Sequence, residues 1–512
     1  MRFLLTSLIA CCAPASAQQA FPRADAAIPI AAQPERTAAP ASPRGTWTHL
    51  AGDADRDARP IAPGPFDAAA FAPLWTASTD TLGRPIEWIG PSGVVTDGSL
   101  VFGVALIDFT DHAVAVDART GDVRWTTPIP IALLDSWSTP ALDTGNNAVL
   151  YAAGSNLTAL DARTGATRWQ ADLAANIVNA SPVVTTDQHP ADRAFITDFA
   201  TSANGRLICI NVDPFHPALN PHQPGDILWS APLPGPTSGN SPAVRGAIVY
   251  AATAGGPTTD RPDAGRLVAF DARATTQPAP LWTATNPTDT GFFGGIVATP
   301  GALLASTYAF APGQFAATTI ALDRFTGDTL WSAATNRTNA VPLPLADGSV
   351  LVSAGLPDDP FFPPFGTVPS IQRIEPDAAE PTGARVAWDS AQATLADTNA
   401  NGAVDPGESF TPLGGWTVQP ARVRTLGRDL VLVGTISESF AGSFFDAPVR
   451  LSLIDPALDP ADPGFVIATI EDAGGAPAVI ANTVYTIAPQ GLRAIRLMPA
   501  QTTRQTTRRP AP

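Results

Sequence analysis

Apolar and polar residues alternate in short runs along most of the chain, and three of these runs end in the same phrase. Residues 113–125 read AVAVDARTGDVRW, residues 157–169 read LTALDARTGATRW and residues 319–331 read TIALDRFTGDTLW. Alternation with a period of two predicts a half-buried strand. The Asp and the Thr-Gly pair are turn residues, because Gly takes a positive φ at no steric cost and Asp bonds to its own backbone. Each phrase therefore predicts a β-hairpin whose second strand ends on Trp.

Looser copies of the phrase lie between the clear ones, at residues 207–229, 267–282, 371–388 and 451–466. In the last copy, Phe465 stands where Trp is expected. The Trp positions are Trp125, Trp169, Trp229, Trp282, Trp331 and Trp388. Their spacings, by subtraction, are 44, 60, 53, 49 and 57 residues. Propeller blades repeat at roughly 40–50 residues, and insertions lengthen single units. The pattern predicts a β-propeller.

Seven units run in order, and an eighth begins at residues 476–497 without a Trp strand of its own. The missing strand is found near the other end, as APLWTAS at residues 72–78. An N-terminal strand that completes the last blade closes the ring and removes exposed sheet edges. We therefore predict an all-β fold, an eight-bladed propeller over residues 71–497 whose last blade is closed by an N-terminal strand.

The two ends of the chain have no such pattern. Residues 1–17 combine an Arg, an apolar run and A-S-A, which predicts a secretory signal peptide cleaved after Ala17. In an alternative interpretation, residues 8–11 form a lipobox and Cys11 carries a lipid anchor at an outer membrane. Residues 18–70 are predicted to be a disordered leader rich in Ala and Pro, and residues 498–512 a disordered tail. We expect a protein that is exported, either periplasmic or secreted.

Charge and composition exclude some classes of function. The net charge is −16 and every one of the 30 basic residues is Arg. Nucleic-acid binding requires a basic footprint, so a nucleic-acid partner is not expected. After the signal peptide, no apolar run is long enough to span a bilayer. Cleavage leaves Cys209 as the only cysteine, and a lone cysteine makes no internal disulfide.

Residues 397–408 read DTNANGAVDPGE and match a twelve-residue calcium loop. Calcium takes six to eight oxygen ligands, and short Asp and Asn side chains supply them from alternate positions. Gly402 permits the sharp turn at position 6. The alternative is a surface turn without a metal between two blades. The predicted ligands are Asp397, Asn399, Asn401, Asp405 and Glu408 through their side chains and Ala403 through its carbonyl.

A second connection is unusually apolar. Residues 356–369 read LPDDPFFPPFGTVP, with Phe361, Phe362 and Phe365 among prolines. Exposed apolar patches of this kind mark interaction surfaces. In the alternative interpretation, the aromatic rings fold back over their own blade. The sequence therefore offers this segment as a candidate interaction loop.

The repeated phrase resembles the tryptophan-docking repeat of the PQQ-like propellers, and the resemblance covers residues 72–497. In that superfamily the Trp and Gly of successive blades dock on one another, which implies a structural role here. The residues concerned are Asp117, Gly121, Trp125, Asp161, Gly165, Trp169, Asp323, Gly327 and Trp331.

The superfamily has two branches that matter for function. One contains quinoprotein alcohol dehydrogenases, which hold pyrroloquinoline quinone (PQQ) and calcium; the other contains non-enzymatic propellers typified by BamB. The enzymes carry a vicinal Cys-Cys disulfide beside the quinone, but the only Cys-Cys here is Cys11-Cys12 in the signal peptide. We therefore expect a non-catalytic binding or scaffolding protein with protein partners in the cell envelope and a structural calcium ion. A PQQ-dependent oxidoreductase is the alternative.

Overall fold

The structure is a computed structural model. It describes residues 46–56, 62, 64–130, 136–186, 188, 190–200, 203–254, 265–286, 290–308, 317–355, 368–377, 383–400, 408–436 and 448–500. In these residues, strands account for nearly all of the regular structure, and one short helix, α1, accompanies them. No helix in the described part of the chain is long and apolar enough to cross a membrane.

The strands of the first half of the molecule follow one another at short intervals. They are β1 (Phe71–Ala77), β2 (Glu87–Trp88), β3 (Val95–Thr96), β4 (Leu100–Ile107), β5 (Thr110–Asp117), β6 (Val123–Pro128), β7 (Ala141–Asp143), β8 (Ala148–Ala153), β9 (Asn156–Asp161), β10 (Thr167–Asp172), β11 (Val183–Val184), β12 (Arg193–Thr197), β13 (Arg206–Asn211), β14 (Ile227–Pro232), β15 (Ala243–Arg245), β16 (Ile248–Ala252), β17 (Arg266–Asp271) and β18 (Trp282–Thr285).

The second half continues in the same way, with the helix between two of its strands. Its elements are β19 (Gly291–Phe292), β20 (Val297–Ala298), β21 (Ala302–Tyr308), β22 (Ala317–Asp323), β23 (Thr329–Thr335), β24 (Leu343–Pro344), β25 (Val350–Ala354), β26 (Ser370–Pro376), β27 (Ala384–Asp389), α1 (Ser390–Ala393), β28 (Ala421–Thr425), β29 (Arg428–Thr435), β30 (Arg450–Ile454), β31 (Val466–Glu471), β32 (Ala478–Ile480), β33 (Thr483–Ala488) and β34 (Gly491–Leu497).

These strands form eight antiparallel sheets, which are the eight blades of a propeller. Blades 1 to 7 are β2–β6, β7–β10, β11–β14, β15–β18, β19–β23, β24–β27 and β28–β31. Blade 8 has the order β32-β33-β34-β1, and β1 pairs with β34 from Phe71↔Leu497 to Ala77↔Leu492. The predicted all-β propeller with a last blade closed by an N-terminal strand is confirmed.

The blades pack through apolar clusters that join neighbouring sheets. Leu150 and Leu157 of blade 2, for example, share one buried cluster with Ile196 and Ile208 of blade 3. The first strands of successive blades also contact one another, so they lie innermost, around the axis. Because the strands are antiparallel, the connections between first and second strands and between third and fourth strands share one face. We call it the turn face, and the opposite face, which carries all other connections, the loop face.

On the turn face, the Trp of one blade docks on the Thr-Gly turn of the next. The indole Nε1 of Trp125 in blade 1 donates to the Ala162 carbonyl of blade 2 at 3.0 Å. A Cβ on Gly165 would lie 2.6 Å from the Trp125 ring, and Gly165 has a φ of +73°. Trp75 against Gly121 and Trp282 against Gly327 repeat the contact around the ring.

The Asp of each phrase organises the same turn. One carboxylate oxygen of Asp161 accepts from the backbone N–H groups of Arg163 and Thr164, and the other accepts from Arg168 at 2.7 Å. The hydrogen bond from the Arg168 guanidinium lowers the pKa of Asp161 to about 2. Asp117 and Asp323 accept from the corresponding backbone N–H groups. The repeat residues therefore build the turn on which the neighbouring Trp lies.

Part of the predicted leader is ordered, which corrects one prediction. Within residues 18–70, residues 46–56 pair with the inner strands, and Trp47 exchanges two backbone hydrogen bonds of 2.8 Å with Thr96. The prediction of a structureless segment is wrong for residues 46–56, because the inner edge of each blade exposes backbone N–H groups that require acceptors. Residues 498–500 of the predicted tail are also held, since Met498 donates to the Ala70 carbonyl at 2.7 Å. The signal peptide and Cys11 lie outside the described residues.

Candidate functional site

One end of the axis is filled by residues 46–56, which we call the axial segment. It follows the inner strands of five successive blades and accepts a backbone N–H from each of them. Val184 of blade 3 donates to the His49 ring at 2.9 Å. The corresponding carbonyl acceptors are Trp47 for Thr96 of blade 1, Thr48 for Leu142 of blade 2, Ala54 for Val244 of blade 4 and Asp55 for Ala298 of blade 5. The segment thus satisfies the inner edges that a propeller leaves open.

Arg56 anchors this segment at the axis. Its side chain is 1% exposed and donates to the Leu50 carbonyl at 3.0 Å and to the Pro242 carbonyl at 2.8 Å. Burial lowers its pKa to about 9. A cation this deep is stabilised only by the carbonyl groups and acidic residues around it, so Arg56 fixes the position of the segment.

His49 lies beside Arg56 and is also fully buried. Since Nε2 accepts from the Val184 backbone, the ring carries its proton on Nδ1, which lies 2.8 Å from the Thr48 hydroxyl. Burial, reinforced by the charge of Arg56, lowers the pKa of His49 to about 3. The imidazole is therefore neutral at physiological pH and acts as an acceptor for the blade.

The other end of the axis is covered by aromatic residues. Trp137 before blade 2 and Trp416 before blade 7 meet at 6.2 Å between ring centres, at 78°. Ala254, Phe293 and Ile436 belong to the same cluster. Blades 2 and 7 are not neighbours in the ring, so their residues meet only across the axis. We call this cluster the aromatic cap.

A cavity of about 30 Å³ remains between the axial segment and the aromatic cap. Leu50 lies at one side of it, and the rest of the lining includes Asn179, Ser181, Asn339 and Gln419. None of the described residues that line it is charged. Its volume suffices for about one water molecule. Among the described residues, the space between the axial segment and the aromatic cap is therefore small.

Hydroxyl groups join the blades around this cavity. The Thr139 hydroxyl accepts from the Gly93 backbone at 2.8 Å, the Ser181 hydroxyl from Thr139 at 2.9 Å and the Ser241 hydroxyl from Ser181 at 2.8 Å. Three hydroxyl groups thus link blades 1 to 4 in series, one at each junction between neighbouring blades. Blade 5 has Gly295 at this position and offers no hydroxyl. These polar residues have a role in holding the ring together.

The predicted calcium loop is described only in part. Asp397, Asn399 and Glu408 lie in the described residues, whereas Asn401, Ala403 and Asp405 lie outside them. A short stem brings the two ends of the loop together. Its hydrogen bonds join Ala396 N to Ser409 O at 2.8 Å, Thr398 N to Glu408 Oε1 at 2.7 Å and Thr411 N to Thr394 Oγ1 at 2.9 Å. Among the described residues, no group of three His, Cys, Asp or Glu side chains is gathered for a metal.

A groove of about 370 Å³ lies between this stem and blade 7. Thr394 and Thr411 of the stem form one wall, and Arg450, Ser452 and Thr469 of blade 7 form the other. The Arg450 guanidinium is held by the Glu471 carboxylate at 3.0 Å. The groove is more than ten times larger than the axial cavity and lies away from the axis.

Residues 356–367 of the candidate interaction loop, which include Phe361, Phe362 and Phe365, lie outside the described residues, which stop at Gly355 and resume at Val368. Its two ends belong to the second and third strands of blade 6, so the connection starts and finishes on the loop face. The sequence analysis did not single out the axial segment, the aromatic cap, or two exposed apolar residues of the loop face, Leu82 and Phe109. Phe109 lies between two alternating runs, where a turn is expected, and a bulky apolar residue in a turn was the available signal of an exposed side chain.

Comparison with known proteins gives a family match over part of the chain and a shared fold. Residues 66–216 match a family described as outer membrane protein assembly factor BamB. None of the curated proteins compared with the chain matches it in sequence.

Three solved structures share the fold at low identity. A quinohemoprotein alcohol dehydrogenase from Pseudomonas putida HK5 is 13% identical, with a TM-score of 0.56 over 91% of this chain and 82% of its own. A europium-containing methanol dehydrogenase is 12% identical, with a TM-score of 0.53 over 88% and 89%. A quinohemoprotein alcohol dehydrogenase from Comamonas testosteroni is 14% identical, with a TM-score of 0.53 over 90% and 82%. At these identities the likeness extends to the fold alone.

The cavity described on the axis is smaller than the fused-ring quinone of PQQ-dependent enzymes. Pyrroloquinoline quinone is a fused-ring system with several carboxylates, and buried carboxylates require cationic or hydrogen-bonding partners. The axial cavity has a volume of about 30 Å³ and no charged residue in its described lining. Arg56, the buried cation of the axial segment, donates to the carbonyl groups of Leu50 and Pro242.

Proposed function

Because the chain is a PQQ-like β-propeller repeat protein, we propose that it is an exported, non-catalytic binding protein of the cell envelope. In this proposal the propeller is a rigid ring that presents connections of the loop face to a protein partner. The family match to an outer-membrane assembly factor supports a protein partner and an envelope location. A calcium ion in residues 397–408 has a structural role.

The observation that carries the proposal is how little space the described residues leave on the axis. Ligand sites of ring-shaped folds commonly use a central cavity, and here Leu50 and Arg56 fill it from one end while Trp137 and Trp416 cover the other. Binding on the outer surface is compatible with this arrangement, whereas binding on the axis requires that one of the two ends opens.

The loop face is the side that favours a partner. Three successive connections between second and third strands, in blades 5 to 7, span residues 309–316, 355–369 and 436–449. Together they contain eight of the 23 Phe residues of the chain, among them Phe361, Phe362 and Phe365. Aromatic residues dominate the energetics of protein interfaces. The concentration of Phe in the sequence of these three connections supports the loop face as the binding surface.

The triple variant F361S/F362S/F365S tests this surface. We expect it to retain the melting temperature of the parent and to lose at least tenfold in affinity for a partner purified from envelope extract. Phe325, which is 47% exposed on the turn face, provides the control F325S. An equal loss in both variants, or no loss in the triple variant, contradicts the proposed surface.

The second candidate function is a quinone-dependent oxidoreductase, which the solved neighbours and the Trp residues of the aromatic cap favour. The purified protein should be titrated with pyrroloquinoline quinone and calcium and followed by absorbance and by an alcohol–dye assay. We expect neither stoichiometric binding nor turnover. Binding with turnover would replace the binding-protein proposal by the enzyme.

The structural calcium ion has a separate test. The stem that joins Ala396 to Ser409 brings positions 1 and 12 of the loop close together, as the loop geometry requires. Calorimetric titration with calcium should give one binding site in the parent and none in D397A or E408A. Thermal stability should rise with calcium only in the parent, by mass action. A variant at an exposed Asp outside the loop, D172A, should retain both effects.

A further inference from the structure

Phe109 is the most exposed large apolar residue among those that the structure describes. It lies with Asp108 in the two-residue turn between β4 and β5, whose closing pair is Ile107 and Thr110. Its side chain is 96% exposed. Both central residues have a positive φ, +50° for Asp108 and +62° for Phe109. Exposure and strained backbone therefore coincide in one aromatic residue on the loop face.

Folding gives no reason for Phe at this position. Two-residue turns with a positive φ at both central residues favour Asn-Gly or Asp-Gly, because a side chain other than that of Gly is strained there. The matching turn of blade 2, between Ala153 and Asn156, uses Gly154 and Ser155. Phe109 therefore costs stability in the turn and buries no surface in the fold, which points to a role in binding and not in folding.

A second exposed apolar residue is fixed beside this turn. Leu82 is 77% exposed at the tip of a tight turn in which the Asp80 carboxylate accepts from the backbone of Leu82 and Arg84. The guanidinium of Arg84 then bridges Asp80 at 2.6 Å and Asp108 at 2.8 Å. The two tips are thus tied together by one Arg between two carboxylates. We call Leu82 and Phe109 the apolar pair.

We infer that the apolar pair is a docking anchor for a protein partner that offers an apolar pocket with basic residues at its rim. This inference rests on the proposed function and assigns a described part of the loop face to it. Charge complementarity selects the partner. Around the pair, Asp80, Asp108 and the exposed Glu87 outnumber Arg84, and the chain as a whole carries −16. An anionic lipid surface or a second copy of this acidic chain is repelled, whereas a basic rim is attracted.

The substitution F109G separates docking from folding, because Gly suits the turn better than Phe. We expect an unchanged or higher melting temperature together with at least a tenfold loss of affinity for the partner. L82S should also weaken binding without loss of stability. The matched control is L426G, because Leu426 is 75% exposed and has a φ of +48° in a turn of the turn face; it should leave binding unchanged without lowering the melting temperature.

The partner is obtained by photo-crosslinking from benzoylphenylalanine at position 109 in envelope extract, then purified and titrated. A salt-sensitive affinity that falls tenfold in F109G supports the anchor. A partner whose affinity is the same in the parent, F109G and L82S overturns the anchor and leaves the proposed function standing. If the parent instead binds anionic or zwitterionic vesicles, or associates with itself, and F109G abolishes that binding, the inference of a basic protein partner is overturned. Quinone turnover instead removes the proposed function itself.

Discussion

The turn face and the loop face of the ring are built from the same strands but follow different rules. On the turn face, Asp161, Gly165 and Trp125 make a contact that recurs from blade to blade, and both the Asp161 carboxylate and the Trp125 indole have hydrogen-bond partners. On the loop face, the second-to-third-strand connection is a two-residue turn in blades 1 and 2 but spans residues 355–369 in blade 6.

This difference separates folding from function. A contact that recurs around the ring is required for closure, so substitutions there should cost stability. A connection that differs between blades is not required for closure, and its residues are available for binding. The comparison predicts large losses of stability for the turn face and the axis, and losses of binding without losses of stability for the loop face.

The largest loss is expected for G165A. The new Cβ would combine the strain of a positive φ, about 1–2 kcal/mol, with a clash against the Trp125 ring, about 1–3 kcal/mol. Gly427 is a matched control on the same face, because it has a φ of +84° and no heavy atom within 4 Å of the added Cβ. Chemical unfolding should show that G165A loses about twice as much free energy as G427A. Equal losses would mean that Trp docking adds nothing to closure.

The docked Trp also explains why the fold could be predicted from the sequence. Asp117, Gly121 and Trp125 lie within nine residues and specify a local turn together with a contact to the neighbouring blade. One phrase therefore carries both the hairpin and the stacking of blades, and its repetition gives their number. The split last blade follows from the same count, since the strand that β34 lacks is the one that β1 supplies.

The axis and the apolar pair could not be predicted in this way. The axial segment binds inner strands mainly through backbone carbonyls, such as those of Thr48 and Ala54, and such contacts leave no side-chain pattern in a leader rich in Ala and Pro. Phe109 is one apolar residue among many alternating ones until the pairing of Ile107 with Thr110 places it in a turn. The calcium ligands and Phe361, Phe362 and Phe365 remain predictions.

The next largest effect is expected at the axis, in acid. The pKa of His49 is about 3 in the folded protein against an ordinary value of 6.5. Between these values the unfolded chain binds a proton that the folded chain excludes, so the free energy of unfolding falls as pH is lowered from about 6.5 towards 3. The shift corresponds to a loss of up to about 4 kcal/mol over that window.

The variant H49Q tests this assignment. A Gln side chain can accept from Val184 without titrating, so the part of the acid dependence due to His49 should disappear. Unfolding curves at pH 7 and pH 4 measure it. If the parent and H49Q lose equal stability between these values, His49 is not the group that makes the axis sensitive to acid.

A smaller loss is expected from the hydroxyl series around the axis. S181A removes the acceptor of the Thr139 backbone N–H at 2.9 Å and leaves a buried donor without a partner, which costs about 1–3 kcal/mol. Ser230 is the control, because its hydroxyl is buried without a hydrogen-bond partner among the described residues. S230A should therefore be neutral or stabilising in chemical unfolding. A loss in S230A as large as in S181A would show that the hydrogen bond between blades is not the cause.

The smallest effect is expected at Asp192, a carboxylate of the turn face whose pKa is shifted in the opposite direction to that of Asp161. Burial raises the pKa of Asp192 to about 6, and the nearby Asp213 and Asp143 add to the shift. The folded chain therefore binds a proton between pH 3.8 and about 6 that the unfolded chain has lost, so stability falls as pH rises through that window.

D192N removes the charge but keeps an oxygen that can accept from Thr185 and Gln188. Since the group is only partly buried, we expect D192N to gain about 1 kcal/mol at pH 8 and nothing at pH 3.5. A loss of stability at pH 8 would mean that the charge of Asp192 is needed, and that this part of the turn face follows the same rule as the Trp-docking turns.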